Sequence, residues 1–350
     1  MNKLREIFLT QDDTMDLAIK MLKNPYEIVL ITDKCNELIG TVTDGDIRRA
    51  LLKHFTNDKK ISFIMNKNPI TFKQNTPKAK INACLEKYNI KQIPLLDQDN
   101  KVVDIFLSSS LESRPALQNP VFLMAGGFGK RLQPLTNNTP KPMLKLGDKA
   151  ILEIIIDSFI SQGFQKFYIS THFEADQITD YFGDGSRLGI TINYVHEEKP
   201  LGTAGALGLL PKDLELPIVM MNGDLITRVD FSKIINFHNK DSAHITMCTR
   251  KFDFQVPYGV IKLDGRRIKK IEEKPTQSFF VNAGVYIINP KIFTDMDGTS
   301  YIDMPDLIKE NIESGKNVTT FPMHEYWLDI GKIDNYKKAQ REIVHLKDGD

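Results

Sequence analysis

Gly126, Gly127 and Gly129 fill three of four successive positions in "VFLMAGGFGKRLQPLTNNTPKPM", residues 121–143. A short apolar strand feeding such a loop lets backbone N–H groups approach phosphate oxygens closely, because no side chain stands between them. Two cations flank the loop, Arg131 just after it and Lys141 between two prolines. It is not the GxGxxG dinucleotide fingerprint, since Leu132 stands where the third glycine belongs. It is not a P-loop either, since no GxxxxGK[ST] can be laid on it. A plain turn is the alternative, and Arg131 and Lys141 weigh against it. Further along, "MNGDLI" puts Asp224 after a glycine at the end of an apolar run. A carboxylate there suits a hard cation, although the dipeptide alone also reads as a turn aspartate. "EEKPLGTAGAL", residues 197–207, is a second glycine loop headed by Glu197, which alone also reads as a solvated surface glutamate.

These residues need elements to hold them. The 350 residues exceed one ordinary core, so at least two domains are expected. Residues 1–113 read as an imperfect repeat, split at 56/57: helix, apolar strand, polar turn, strand, helix, twice over. Two such units bury their sheets only against each other, so a paired module is expected. "SRPALQNP" carries two prolines and reads as a linker over 114–120. From 121 to 350, strands such as "VFLMA", "KFYIST" and "PIVMMNGD" alternate with helices such as "AILEIIIDSFISQGF" and "FSKIINFHNK". That order predicts an α/β fold with a mainly parallel sheet, its ligand beyond the carboxyl ends of the strands. Net charge is +1, which argues against a broad nucleic-acid surface. Cys35, Cys84 and Cys248 show no metal spacing and read as reduced core thiols. No signal peptide or membrane span is legible, so a cytoplasmic protein is expected.

Here the motifs converge on one family. "LMAGGFGKRLQPLTNNTPKPML" resembles the signature LAGGxGTRLxPLTxxxPKPM of the sugar-1-phosphate nucleotidyltransferases, with Lys130 where Thr or Ser is usual. The resemblance runs in order across residues 121 to 336. It implies a Rossmann-like, mixed, mainly parallel nucleotidyltransferase sheet flanked by helices. It implies nucleotide contacts from Leu123, Ala125, Gly126, Gly127, Gly129, Lys130, Glu197, Gly202 and Thr203, with Glu197 reading the base. A carboxylate there suits guanine, whose N1–H and N2–H₂ form a two-donor edge that pyrimidines lack. It implies Mg²⁺ on Asp224 and on Asp329 of "WLDIG". "YGVIKLD", "EEKP" and "NAGVY" supply Gly259, Glu273, Lys274 and Asn282 for the sugar phosphate. Arg131, Lys141, Asp224 and Lys274 carry the catalysis that the resemblance implies.

"GTVTDGDIRRALL", residues 40–52, resembles the second half of a CBS domain, so a tandem βαββα-type CBS module precedes the sheet. Thr43 and Asp46 fall where that family binds the ribose and phosphate of adenine nucleotides. Repeat two has Leu107 and Ser110 there, so at most one conventional site is expected, and a purely structural or dimerising pair is the alternative. CBS pairs often associate, which implies a homo-oligomer. The sequence reads as closing on one helix, so no left-handed acyltransferase helix is expected. A CBS pair joined to "GGFGKRL" most resembles enzymes that activate sugars for surface glycans. The favoured reading is guanylyl transfer from GTP to glucosamine-1-phosphate for legionaminic acid. Mannose-1-phosphate or a heptose phosphate is the alternative acceptor, and UTP, dTTP or CTP an alternative donor. From another class stands a nucleotide-sensing CBS protein with an inactive transferase fold; the intact Arg131, Lys141, Asp224, Lys274 and Asp329 argue against it.

Overall fold

The computed structural model describes residues 4–88, 90–108 and 116–347, without the side chains of Arg5 and of 343–347. Ser110 and the last helix of repeat two lie outside the described residues. Contacts divide the chain into two compact units, one of residues 1–114 with 251–279, the other of 115–250 with 280–350.

In the first unit each repeat builds a three-stranded sheet. Repeat one runs β1 (Phe8–Leu9), α1 (Met15–Met21), β2 (Ile28–Thr32), β3 (Leu38–Thr43) and α2 (Asp44–Leu52), in the order β1-β2-β3. Repeat two runs β4 (Phe72–Lys73), α3 (Lys78–Tyr88), β5 (Gln92–Leu96) and β6 (Val102–Leu107), in the matching order β4-β5-β6. In both, the two-residue opening strand pairs parallel and the next two pair antiparallel. The repeats bury each other as expected: Ile105 of repeat two joins Ile7, Ile28 and Leu30 in one cluster. The reading of three core thiols holds only for Cys248. Cys35 is exposed, because it sits in the polar turn between β2 and β3, and Cys84 is half-buried.

The second unit is built on a seven-stranded mixed sheet. Its elements begin with β7 (Val121–Met124), the two-residue pair β8 (Lys145–Leu146) and β9 (Lys149–Ala150), α4 (Ile151–Ile160), β10 (Lys166–Thr171), α5 (Ala175–Phe182) and β11 (Thr191–His196). They continue with β12 (Ile218–Asn222), β13 (Leu225–Thr227), α6 (Phe231–Lys240) and β14 (Ile245–Gln255). The hairpin β15 (Val260–Asp264) and β16 (Arg267–Glu272) follows, within the segment grouped with the first unit. Then come β17 (Thr276–Ile288), α7 (Met304–Glu313), β18 (Val318–Met323), β19 (Trp327–Asp329) and α8 (Ile333–Lys347). The order is β11-β10-β7-β12-β17-β14-β18. β7, β10, β11 and β12 run parallel, and β17 runs antiparallel to β12.

Both faces of this sheet are buried, which is why its strands read as continuous apolar runs. Alternate residues face opposite sides: Val121 and Leu123 join the cluster with α4 and α6, whereas Phe122 joins the one with α7. Residues 116–120 are not a free linker. The Leu117 N–H donates to the Gly163 carbonyl (2.9 Å), and the Asn119 amide donates to the Pro217 carbonyl (2.7 Å). Both bonds tie this stretch to the second unit. Among the described residues, no helix is long and apolar enough to cross a membrane.

Candidate active site

The strand order reverses at β7: the chain moves to β10 and β11 on one side and returns to β12 on the other. Such a switch point opens a crevice at the carboxyl ends of the strands. Register brings those ends level, with Met124 opposite Ser170 and Asn222, and Thr171 opposite His196. The residues just beyond therefore meet: Ala125 and the glycine loop, His172, Glu197, and Gly223 with Asp224. A pocket of about 430 Å³ opens there, wholly within the second unit.

The glycines are there for specific contacts. Gly129 adopts φ +62°, and a Cβ on it would lie 2.9 Å from the Thr136 side chain and 3.0 Å from Lys141 Cβ. The loop can cross over Lys141 only without a side chain at this point. At Gly223 a Cβ would stand 2.6 Å from the Met124 carbonyl oxygen, which accepts the Gly223 N–H at 2.8 Å. Gly127 has open space on its Cβ side, so its backbone is free to meet a ligand.

Lys141 is buried, and its ammonium donates to Asp224 Oδ2. Asp224 Oδ1 is buried and has no partner. Beside it, β13 and β19 pair Leu225 with Asp329, and the Ile330 N–H donates to the Asp224 carbonyl at 3.0 Å. The Asp329 carboxyl is pushed up, first by burial and then by the neighbouring charge of Asp224, against the pull of Lys141 and Arg131. A buried acceptor without a donor and two mutually repelling carboxylates are what a divalent cation would relieve, and an all-oxygen pair suits Mg²⁺. The residues present therefore fit that ion.

Glu197 is buried and not the solvated glutamate of the plainer reading. Ser170 Oγ donates to its Oε1 (2.8 Å) and the Leu201 N–H to its Oε2 (3.1 Å). His172 Nδ1 lies 2.6 Å from the Glu197 carbonyl, which can only accept, so Nδ1 carries the proton. Lys130 also finds a place: its ammonium stands 5.6 Å from the centre of the Phe128 ring, within cation–π range. Phe128 in turn packs edge-on to His172. The Thr203 hydroxyl and N–H both donate to Asp303 Oδ1, and that hydroxyl accepts the Met304 N–H. Gly202, at φ +78°, packs against the Ile302 carbonyl, where a Cβ would come to 2.5 Å.

The pocket thus gathers Ala125, Gly126, Gly127, Gly129, Lys130, Arg131, Lys141, Glu197, Gly202, Thr203 and Asp224. Leu123 is not among its lining residues. It lies in β7, an interior strand of the sheet, and turns its side chain into the core. The Asn282 amide donates to Tyr286 Oη, and its carbonyl accepts the Gly284 N–H. Gly259, Glu273 and Lys274 belong to the first unit, where a Cβ on Gly259 would stand 3.0 Å from the Glu273 carboxylate. There too, Thr43 and Asp46 form the capping box of α2: Asp46 Oδ2 accepts from the Thr43 N–H and Oγ1, and Oδ1 from Arg49. Tyr301 and Asp303 line the pocket without having been read from the sequence. Asp303 was findable as an N-cap before "MPD", with proline in the first turn of α7; Tyr301 gives no such signal.

A switch-point crevice with a glycine loop, two converging cations and a paired-carboxylate site defines a nucleotide-handling α/β enzyme fold. Residues 121–345 match the nucleotidyl transferase family, and residues 1–53 and 60–111 match the CBS domain. The chain belongs to the nucleotidyl transferase family and carries a pair of CBS domains. It is 33% identical over 227 residues to the D-glycero-alpha-D-manno-heptose 1-phosphate guanylyltransferase of Aneurinibacillus thermoaerophilus, covering 64% of this chain and 97% of that protein. It is 28% identical over 230 residues to the mannose-1-phosphate guanyltransferase of Yarrowia lipolytica, covering 61% of each. The structure of HddC from Yersinia pseudotuberculosis complexed with GMP-PN superimposes with a TM-score of 0.51 at 25% identity, over 65% of this chain and all of that one.

Proposed function

We propose that the protein transfers GMP from GTP to a sugar-1-phosphate, giving a GDP-sugar and pyrophosphate. The observation that carries this reading is the Lys141–Asp224 pair under the glycine loop, with Asp224 Oδ1 buried and unpartnered beside Asp329. Guanine is favoured because Glu197 is a buried, pre-oriented carboxylate at the pocket wall, and two guanylyltransferases are among the relatives. In the step itself an oxygen of the sugar-1-phosphate attacks the α-phosphorus. The bond from that phosphorus to the β-phosphate bridging oxygen breaks, and pyrophosphate carries the electron pair away. The attacking oxygen needs no general base, since the second pKa of a phosphate monoester is about 6. The barrier is repulsion between anions and their alignment. Arg131 and Lys141 offset that repulsion from either side of the loop, and the N–H groups of Gly127 and Gly129 donate to phosphate oxygens. Asp224 and Asp329 would hold Mg²⁺, which when bound supplies charge neutralisation to the triphosphate. Gly259, Glu273, Lys274 and Asn282 are assigned to the sugar phosphate by motif.

The acceptor we favour is glucosamine-1-phosphate, on the way to legionaminic acid for surface glycans. A heptose or mannose 1-phosphate is the second reading, favoured by the names of the relatives. We place an adenine nucleotide at Thr43 and Asp46, where it would displace Arg49 from Asp46. The enzyme is taken to act in the cytoplasm, where its triphosphate substrate is found, and as a homo-oligomer. The test is pyrophosphate release with GTP, ATP, UTP and CTP against hexose-, hexosamine- and heptose-1-phosphates. Release only with GTP plus one acceptor supports the proposal; no release with any pair defeats it.

A further inference from the structure

The second glycine loop is sewn to the chain that leads into α7, residues 298–304. Gly202, Gly205 and Gly208 recur at every third position and face that chain. The last two sit in the 3₁₀ turn Gly205–Leu209, whose three-residue period puts them on one side. A Cβ on Gly202 would stand 2.5 Å from the Ile302 carbonyl oxygen, and one on Gly205 2.6 Å from that of Ser300. A Cβ on Gly208 would stand 2.5 Å from the Gly298 nitrogen. The two segments therefore run in opposite directions at backbone contact, with no room for a side chain between them. Backbone bonds close the seam. The Ile302 N–H donates to the Leu201 carbonyl at 2.9 Å, and the Ala204 and Gly205 N–H groups donate to the Ile302 carbonyl at 2.9 and 3.1 Å. Leu201 is also the residue whose N–H holds Glu197 Oε2, at 3.1 Å. A single residue thus links the carboxylate assigned to the base with the 298–304 segment.

Asp303 fastens this seam. Its Oδ1 accepts from both donors of Thr203, the N–H at 3.0 Å and the hydroxyl at 3.1 Å, and its Oδ2 accepts from Tyr301 Oη at 3.0 Å. The Thr203 N–H holds the Asp303 carboxyl below the usual carboxylate range, so it is an anion at neutral pH and its bonds are charge-assisted. An N-cap aspartate ordinarily accepts from an N–H of its own helix. The Asp303 side chain makes no such bond to α7. The Thr203 hydroxyl takes the Met304 N–H instead, at 2.8 Å. The carboxylate is therefore committed to the loop and not to the helix it precedes. Asp303 and Tyr301 line the pocket beside Leu201, Gly202 and Thr203. We propose that Asp303 is the positioning residue of the nucleotide loop: it fixes Gly202 and Thr203, through them Leu201, and so the Glu197 carboxylate, before a base arrives. The inference rests on the guanylyl reading and adds to it the residue that keeps Glu197 in place.

The test is steady-state kinetics of the full chain with Mg²⁺, each triphosphate in turn and the sugar-1-phosphate that gives pyrophosphate release. Ordering a loop residue at the moment of binding, and not beforehand, costs about tenfold in affinity. Gly202 and Thr203 are both released when Asp303 is lost. Asp303→Ala should therefore raise KM for GTP by about 10- to 100-fold and keep kcat at saturating GTP within about threefold. It should also cut the preference for GTP over the other triphosphates by about tenfold. Asp303→Asn should recover most of the loss, since its Oδ1 still accepts from both Thr203 donors. Unchanged KM and preference in Asp303→Ala, with or without a fall in Tm, or a loss confined to kcat, would overturn the inference. A wild type that prefers another triphosphate overturns the guanylyl reading alone, and the KM for that triphosphate then judges Asp303 by the same ratio. A wild type inert with every pair removes both. Should Asp303→Ala lose its circular dichroism, Thr203→Val, which deletes the hydroxyl and keeps the shape, decides by the same criteria.

Discussion

Replacing Gly223 by alanine tests how tightly the fold holds the carboxylate that follows it. The added Cβ would stand 2.6 Å from the Met124 carbonyl oxygen, a separation that real side chains do not adopt. That oxygen belongs to β7, an interior strand, and already accepts the Gly223 N–H. Relief to an ordinary contact requires the end of β12 to retreat by roughly 0.8 Å, at an overpacking cost of about 1–3 kcal/mol. Asp224 is the next residue and moves with it, while Lys141 and Asp329 stay anchored to other elements. A misplacement approaching 1 Å costs on the order of 100-fold in rate, or about 2.7 kcal/mol of barrier. We therefore expect Gly223→Ala to lower kcat by about 100-fold in the pyrophosphate-release assay, with a fall in Tm of a few degrees. Gly127→Ala is the control. Its Cβ meets nothing within 4 Å, so Tm should hold while KM for GTP rises, because the loop backbone can no longer approach phosphate. A Gly223→Ala enzyme with kcat within threefold of wild type would refute the reasoning.

Four further outcomes follow. Asp224→Asn should lower kcat by about 100- to 1,000-fold, on the scale of losing one preorganised electrostatic partner, and a far-ultraviolet spectrum unlike wild type would instead assign Asp224 a structural role. Glu197→Gln should reduce the preference for GTP over the other triphosphates by about 10- to 100-fold in kcat/KM; an unchanged order of preference would remove Glu197 from base reading. His238 is buried with Nδ1 against Thr246 Oγ1 and an unpartnered Nε2, and burial pushes its pKa down to about 4. Unfolded chains take up this proton near pH 6.5 and the native state does not, so stability should fall as pH drops from 6.5 to 4, by up to roughly 3 kcal/mol. Denaturant unfolding of His238→Gln should show a flatter slope over that window, and a slope equal to wild type would count against it. Differential scanning with AMP, ADP and ATP should show a shift that Asp46→Ala abolishes, and no shift with any nucleotide would leave Asp46 as the helix cap alone.

Much of this arrangement was legible because local signals agree with tertiary needs. "KFYIST" is β10 to the residue, and "FSKIINFHNK" is α6, capped by Asp230, whose side chain accepts from the Ser232 and Lys233 N–H groups. Strands β14 and β17 run far beyond the apolar cores "AHITMCT" and "GVYIIN", because their outer residues pair without being buried. The burial of Glu197 was not readable, since it depends on Ser170, 27 residues away. Thr203 and Asp303 meet across 100 residues, and the aromatic partner that places Lys130 shows only once the loop is folded. Nor does any linear pattern group residues 251–279 with the first unit. The departure at Lys130 therefore reads as part of the loop's own packing, with its ammonium held over Phe128 at the pocket rim.

The most direct test is a single competition. Equimolar GTP, ATP, UTP and CTP are incubated with the enzyme, Mg²⁺ and a mixture of glucosamine-, mannose- and heptose-1-phosphates, and the products are identified by mass spectrometry. A GDP-sugar as the main product, formed more slowly by about 100-fold or more when Asp224→Asn replaces the wild type, is the predicted result. A nucleotide sugar built on another base, or the same GDP-sugar at an undiminished rate from the Asp224→Asn enzyme, would contradict it.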